Sequence, residues 1–281
     1  REDNDAIHGS ALLATELLRL GSPAALAPAS SLRARAGTHY ELLVASHMTA
    51  WDDVFAHELL RRVDLGAVLV IDGTSGHKDP DAALHRPWPG VLADRLGFRS
   101  TGLRTNSGGY PVSSFGAPVG RFPLVVAEHE FSDPAWSAID HLRMPDHEAA
   151  PCVWTRSFGE GKIYLVAGPL GPAMVHDPQS RYLARQILSD ASPLDVRLRP
   201  LSEKTTALAV RGENLDAVGV FAPPVHARRG QPLRIGVPSG EYFDVWSGTV
   251  VQPDGGGECV LRAPDGIALL TGSGLAPTTA D

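Results

Sequence analysis

Asp72-Gly73-Thr74-Ser75-Gly76-His77-Lys78-Asp79 is the stretch whose residue types and spacing could do chemistry. It follows Ala67 to Ile71 (AVLVI), an apolar run of strand length. The stretch therefore stands at the carboxyl end of a strand, where doubly wound sheets place their ligands. A sharp strand-to-helix turn there exposes a side chain and aims backbone N–H groups at an anion. Gly73-x-Ser75 is half of a nucleophile elbow, which makes Ser75 a candidate nucleophile with His77 beside it. The second glycine is misplaced, because His77 stands where the elbow needs Gly, and Pro80, Pro87 and Pro89 intervene before any helical pattern. The residues fit a glycine-bearing surface turn better than a nucleophile's seat.

The other reactive side chains gather less. Among the 11 histidines, Glu128-His129-Glu130 alternates on a strand, with both carboxylates on one side and His129 on the other. Asp140-His141 and Asp146-His147-Glu148 are read as helix and loop. No helical His-x-x-x-His and no two-Cys spacing occurs, so neither a metal nor another cofactor is expected. Cys152, beside Trp154, reads as a small buried hydrophobe. Paired carboxylates for glycoside chemistry cannot be singled out from scattered Asp and Glu. Trp51 and Trp154 suit a core, whereas Trp88, between prolines, is the exposed aromatic.

Elements that alternate in type position these residues. Ile7, Leu13, Leu17 and Leu20 predict a helix over 7–20, and Tyr40 to Ser46 a strand. Thr49 is expected to cap a helix over 50–65 whose apolar face is Trp51, Val54, Phe55, Leu59 and Val63. A helix over 89–96 stopped by Gly97, a strand over 122–127, and a hairpin of 151–158 with 162–167 follow. Asp177-Pro178 starts a last helix, which Ser192-Pro193 breaks. Such βαβ alternation argues for a doubly wound α/β layer with 40–46 and 67–71 as parallel neighbours. Beyond Pro193 only short alternating segments occur: 194–200, 205–211, 216–222, 232–237, 241–246, 249–252, 258–263 and 266–271. They predict a small antiparallel β-sandwich, with domains 1–192 and 193–281 and a frayed tail.

Composition bounds the function. The 281 residues, 43% hydrophobic and 20% charged, suffice for a core. A net charge of -7 without basic runs argues against a nucleic-acid partner, and no apolar stretch approaches membrane-span length. The first residue is Arg, so the chain is expected to be a piece of something longer. The acidic N-terminus is unlike a signal peptide, and a cytoplasmic location is expected.

The order of these features resembles a known family. Leu20-Gly21, a short strand near Ala24–Ala27, His39-Tyr40-Glu41-Leu42-Leu43-Val44, Val68-Leu69-Val70, Thr74–Asp79 and Pro89–Gly97 succeed one another. That succession is similar to the trimerisation domain of the glycoside hydrolase family 42 β-galactosidases. Phe158–Gly168 resembles that domain's closing hairpin, and Glu241–Gly248 with Pro264–Leu270 resembles the small C-terminal β domain after it. The resemblance implies a flavodoxin-like, class I glutamine-amidotransferase-like, mainly parallel sheet. It also implies a retaining glycosidase as parent, with both catalytic glutamates on a TIM barrel outside this chain. No amidotransferase Cys stands in Asp72–Ser75.

The resulting expectation is a non-catalytic oligomerisation and accessory region, partnered by that barrel and by copies of itself, a trimer being the assembly the resemblance implies, with carbohydrate as the indirect ligand. Two alternatives stand beside it. One is a free-standing amidotransferase-like or hydrolase-like enzyme using Ser75 and His77; the other is a carbohydrate-binding or scaffold module. The loop from Thr74 to Trp88 is about fifteen residues long without a helix of its own. It carries types that anchor interfaces. Gly73, Thr74, Lys78, Asp79, Arg86 and Trp88 are therefore expected to form a substrate or interface loop.

Overall fold

In a computed structural model of the chain, Val68–Asp72 is buried at all five positions, and the main sheet forms around it. The structure describes residues 2–20, 24, 26, 29–34, 40–145, 149–192, 199–200, 206–211, 216–221, 233–237, 240–245, 247–261 and 267–272. Most of the strand expected at 24–27, His39, Asp146–Glu148, Trp246 and the tail from Ser273 lie outside these residues. Contacts divide the chain into two compact units: Arg1–Leu13 with Leu26–Pro193, and Ala14–Ala25 with Leu194–Asp281. Residues 14–25 thus group with the second unit, whereas the sequence pattern assigns them to the first.

The first unit runs α1 (Glu2–Arg19, which continues into the second unit), α2 (Ala29–Ala34), β1 (Leu42–Ala45), α3 (Asp53–Asp64), β2 (Val68–Asp72) and α4 (Val91–Leu96). Next come β3 (Phe98–Thr105), β4 (Tyr110–Ser114), β5 (Ala117–Phe122), β6 (Val125–Phe131), β7 (Ser137–Ala138), β8 (Leu142–Met144) and β9 (Ala150–Pro151). It closes with β10 (Val153–Phe158), β11 (Gly161–Val166), α5 (Leu170–His176) and α6 (Ser180–Ala191).

Five strands form the main sheet in the order β1-β2-β11-β10-β7. β2 is parallel to both neighbours, with Leu69 opposite Leu43 and Ile163. The hairpin across Gly159-Glu160 turns β10 antiparallel to β11, and β7 pairs antiparallel with β10. The sheet is therefore mixed rather than mainly parallel, since a tight hairpin permits only antiparallel pairing.

Burial on both sheet faces explains why β2 and β11 read as unbroken apolar runs. Phe55, Leu59 and Val63 of α3 share one core with Leu69, Ile71, Ile163 and Leu165. From the opposite face Tyr164 donates its hydroxyl to the carbonyl of Asp190 at 2.8 Å, which ties α6 there. Asp52, not Thr49, caps α3: its carboxylate accepts the N–H of Phe55 at 2.7 Å. The short Asp side chain reaches that amide from immediately before the first turn. Gly97 ends α4 in the left-handed conformation, as its type predicts.

Between α4 and β10 the chain leaves the α/β pattern. β3 and β6 form a long antiparallel pair, and β5-β4-β8-β9 a second small sheet. The strand expected at 122–127 is two strands, broken at Pro123-Leu124, where Leu124 takes a positive φ. The helix expected at Asp140-His141 is instead the turn leading into β8. α5 has no counterpart among the elements expected from the sequence. α6 starts at Ser180 because Asp177 first accepts the N–H of Gln179 in a turn.

Apart from the end of α1, the regular elements of the second unit among the described residues are strands: β12 (Arg199–Pro200), β13 (Thr206–Arg211), β14 (Asp216–Phe221), β15 (Leu233–Gly236), β16 (Tyr242–Asp244), β17 (Thr249–Val251), β18 (Glu258–Leu261) and β19 (Ile267–Gly272). They form antiparallel sheets β12-β15-β18 and β13-β14-β19-β16-β17. Ile235, Cys259 and Leu261 of one sheet share a core with Tyr242, Ala268 and Leu270 of the other.

Candidate functional site

Asp72, the last residue of β2, is 2% exposed. Its Oδ2 accepts the hydroxyl of Ser46 at 2.7 Å, the N–H of His47 at 2.7 Å and the N–H of Leu170 at 3.3 Å. Its Oδ1 accepts the N–H of Thr74 at 3.2 Å and the hydroxyls of Thr74 and Ser75 at 2.8 and 2.9 Å. One carboxylate thus joins the exit of β1, its own turn and the start of α5. An ionised carboxylate has about four acceptor sites, and here all are committed.

Ser75 belongs to that knot. It is 1% exposed. Its Oγ accepts the N–H of Met48 at 3.0 Å, and its hydroxyl lies 3.2 Å from the carbonyl of Ala45 besides Asp72. No imidazole is hydrogen-bonded to it among the described residues. A nucleophile needs a free base and access to substrate. The carboxylate beside this hydroxyl, Asp72 at 2.9 Å, is committed to the backbone and hydroxyl donors around it, and the hydroxyl itself is buried. Thr74 is buried as well, and His47 Nδ1 lies 3.1 Å from its Oγ1.

Gly76 is required where it stands. Its φ is +67°, and an added Cβ would lie 2.0 Å from Cζ2 of Trp51, a core ring that is 3% exposed. Gly76→Ala is therefore expected to lower stability by about 1–3 kcal/mol, the cost of overpacking a rigid core. Urea unfolding checks this, and a loss below about 0.5 kcal/mol would contradict it.

Beyond Gly76 the loop is short-tethered rather than free. Lys78 donates its N–H to Thr49 and accepts that of Trp51. Asp79 Oδ1 accepts the N–H of Ala83 at 2.8 Å. His77 Nδ1 donates to the carbonyl of Thr74 at 3.0 Å, which fixes Nδ1 as the protonated nitrogen. Burial holds the His77 pKa below the usual value, with Lys78, His47 and His85 adding repulsion against the Thr74 hydrogen bond. Trp88 is half-buried; its Nε1 donates to the carbonyl of Ser75 at 3.2 Å, and its ring meets His77 edge-on at 5.5 Å. Arg86 is exposed and makes no ion pair among the described residues. Here the loop borders β3 around an open groove of about 690 Å³. The structure thus brings His77, Arg86 and Trp88 to one surface and turns Thr74 and Ser75 inward.

The remaining candidates are structural. Glu128 and Glu130 pair with Arg104 and Arg99 on the outer side of β6, while His129 faces inward, as alternation requires. The His129 ring meets Phe98 and Trp154 edge-on at 5.9 and 5.4 Å. Its Nδ1 lies 3.0 Å from Ser100 Oγ, and its buried Nε2 has no partner among the described residues. Burial drives its pKa down to about 3. Burial also pushes the Cys152 thiol up to about 12, far from nucleophilic. No group of metal-binding side chains occurs among the described residues. Sequence reasoning missed Ser46, His47 and Leu170 as partners of Asp72. The available signal was an Asp closing a wholly apolar strand.

No family model matches the sequence, and no curated protein matches it. Solved structures share its fold. Gan42B, a GH42 β-galactosidase from G. stearothermophilus, matches 92% of this chain and 35% of its own, with a TM-score of 0.65 and 16% identity. The β-galactosidase from Rahnella sp. R3 matches 93% of this chain and 36% of its own, with a TM-score of 0.60 and 16% identity. That from Bacillus circulans sp. alkalophilus matches 83% and 33%, with a TM-score of 0.60 and 13% identity. The chain spans about a third of the length of these β-galactosidases. What it shares with them is a mixed α/β fold with a parallel-containing sheet and small antiparallel sheets. Among the described residues no helix is long and apolar enough to cross a membrane.

Proposed function

We propose that this chain is a non-catalytic oligomerisation and accessory region of a β-galactosidase-like glycoside hydrolase. In this reading the first unit is the flavodoxin-like, amidotransferase-like trimerisation domain of GH42 and the second its C-terminal β domain. The catalytic TIM barrel lies outside these residues. One observation carries the reading: 92% of the chain follows only 35% of a GH42 β-galactosidase. The turn at Asp72–Ser75 supports it, because the groups that chemistry would use are spent on holding the fold together. Copies of the chain assemble as trimers, and the 74–88 loop shapes a substrate site at the neighbouring barrel through Arg86 and Trp88.

The test compares the chain alone with the product of its full reading frame, including whatever precedes Arg1. Turnover of nitrophenyl β-galactoside is expected only from the longer product, and none from the chain alone. Ser75→Ala leaves the background of the chain unchanged. A fall of about a hundredfold in that variant, the scale of losing a nucleophile, would transfer the function to Ser75 and His77. Glutaminase activity of the chain would do the same.

A further inference from the structure

We propose that the groove beside the 74–88 loop binds an acidic saccharide, a sugar carrying a carboxylate. The proposal rests on reading this loop as part of a substrate site, and it adds a further unit, a charged sugar joined to the galactoside, that this groove would hold. The groove belongs to the first unit alone and lies between the loop and residues 99–103 of β3. Its volume of about 690 Å³ falls in the range of small-molecule sites.

Charge selects the ligand. The chain carries a net charge of -7, yet no carboxylate lines this groove, whereas Arg86, Arg99, His77 and His85 do. Arg99 is shared with Glu130 at the rim. Arg86 is thus the cation without a carboxylate, and a guanidinium matches a carboxylate in bidentate geometry. Shape and polarity select the sugar. Trp88 and Leu103 offer apolar surface to one face of a ring. Because Nδ1 of His77 is spent on Thr74, its Nε2 is an acceptor without a protein partner among the described residues, suited to a hydroxyl donor. A carboxylate, hydroxyl groups and an apolar face coincide in a uronate.

The experiment titrates the 281-residue chain calorimetrically at pH 7 with digalacturonate, the corresponding neutral digalactoside and adenosine monophosphate. Digalacturonate is expected to saturate one site, with the neutral sugar about tenfold weaker, the worth of one charge-assisted hydrogen bond. Arg86→Ala should lower digalacturonate binding to the level of the neutral sugar, and Arg86→Glu lower it further, both on an exposed residue that the fold does not need. Trp88→Ala should abolish both. Equal binding of both sugars, no saturation by digalacturonate, no change in Arg86→Ala, or equal binding of the nucleotide would each overturn the proposal. Failure of the accessory reading shows differently, as glycoside or glutamine turnover by the chain alone.

Discussion

Asp72→Ala is expected to destabilise the first unit by about 3–5 kcal/mol. The variant strands three backbone N–H groups, those of His47, Thr74 and Leu170, that now end on the carboxylate. Each buried donor left without an acceptor costs about 1–3 kcal/mol, partly relieved where water enters the vacated space. The hydroxyls contribute less, because they rotate: Ser75 retains the carbonyl of Ala45, 3.2 Å away. Ser75→Ala is correspondingly milder, at about 1 kcal/mol. Asp72→Asn should fall between the two, since an amide keeps one acceptor oxygen but turns an –NH2 toward groups that are themselves donors. Urea unfolding of the three variants against the parent checks the order. A loss below about 1 kcal/mol for Asp72→Ala would mean that the knot does not hold the exit of β1, the turn and α5 together.

The same residue shows how far the sequence could be read. AVLVI announces a doubly covered strand, and the loop after it stands where a ligand site belongs in such a sheet. Whether that position holds a reagent or a structural staple depends on partners far away in the chain. Ser46 and Leu170 reach Asp72 only once β1 and α5 are in place, and no local pattern carries that information. The strands of the second unit were legible because Gly, Pro and Asn punctuate them at short intervals. The excursion of 98–151 was not. Phe122 to Ala127 reads as one apolar run, and only the positive φ at Leu124 divides it. The β3 strand is mostly exposed, so its burial pattern offers no hydrophobic period to detect. His77 and Trp88 were legible as types, but their edge-on contact came from the ladder that ties Lys78 to Thr49 and Trp51.

Acid is expected to destabilise the first unit through His129. Burial among Phe98, Phe131 and Trp154 keeps the folded-state pKa at about 3, against 6.5 for the free side chain. The folded protein therefore holds the ring neutral while the unfolded chain takes up a proton as pH falls below about 6.5. Stability is full above that pH and falls by about 1.4 kcal/mol per unit below it, down to about pH 3, where the folded state protonates too. At pH 5 the accumulated loss is about 2 kcal/mol. Exposed carboxylates add their own acid dependence, so the informative quantity is a difference. His129→Phe keeps an aromatic ring of similar size against Phe98 and Trp154, gives up the contact with Ser100 Oγ, and cannot protonate. Measured by urea unfolding, the advantage of His129→Phe over the parent should grow by about 2 kcal/mol between pH 7.5 and pH 5. Stability curves that stay parallel across that interval would show that the ring takes up its proton as readily in the fold as in the unfolded chain.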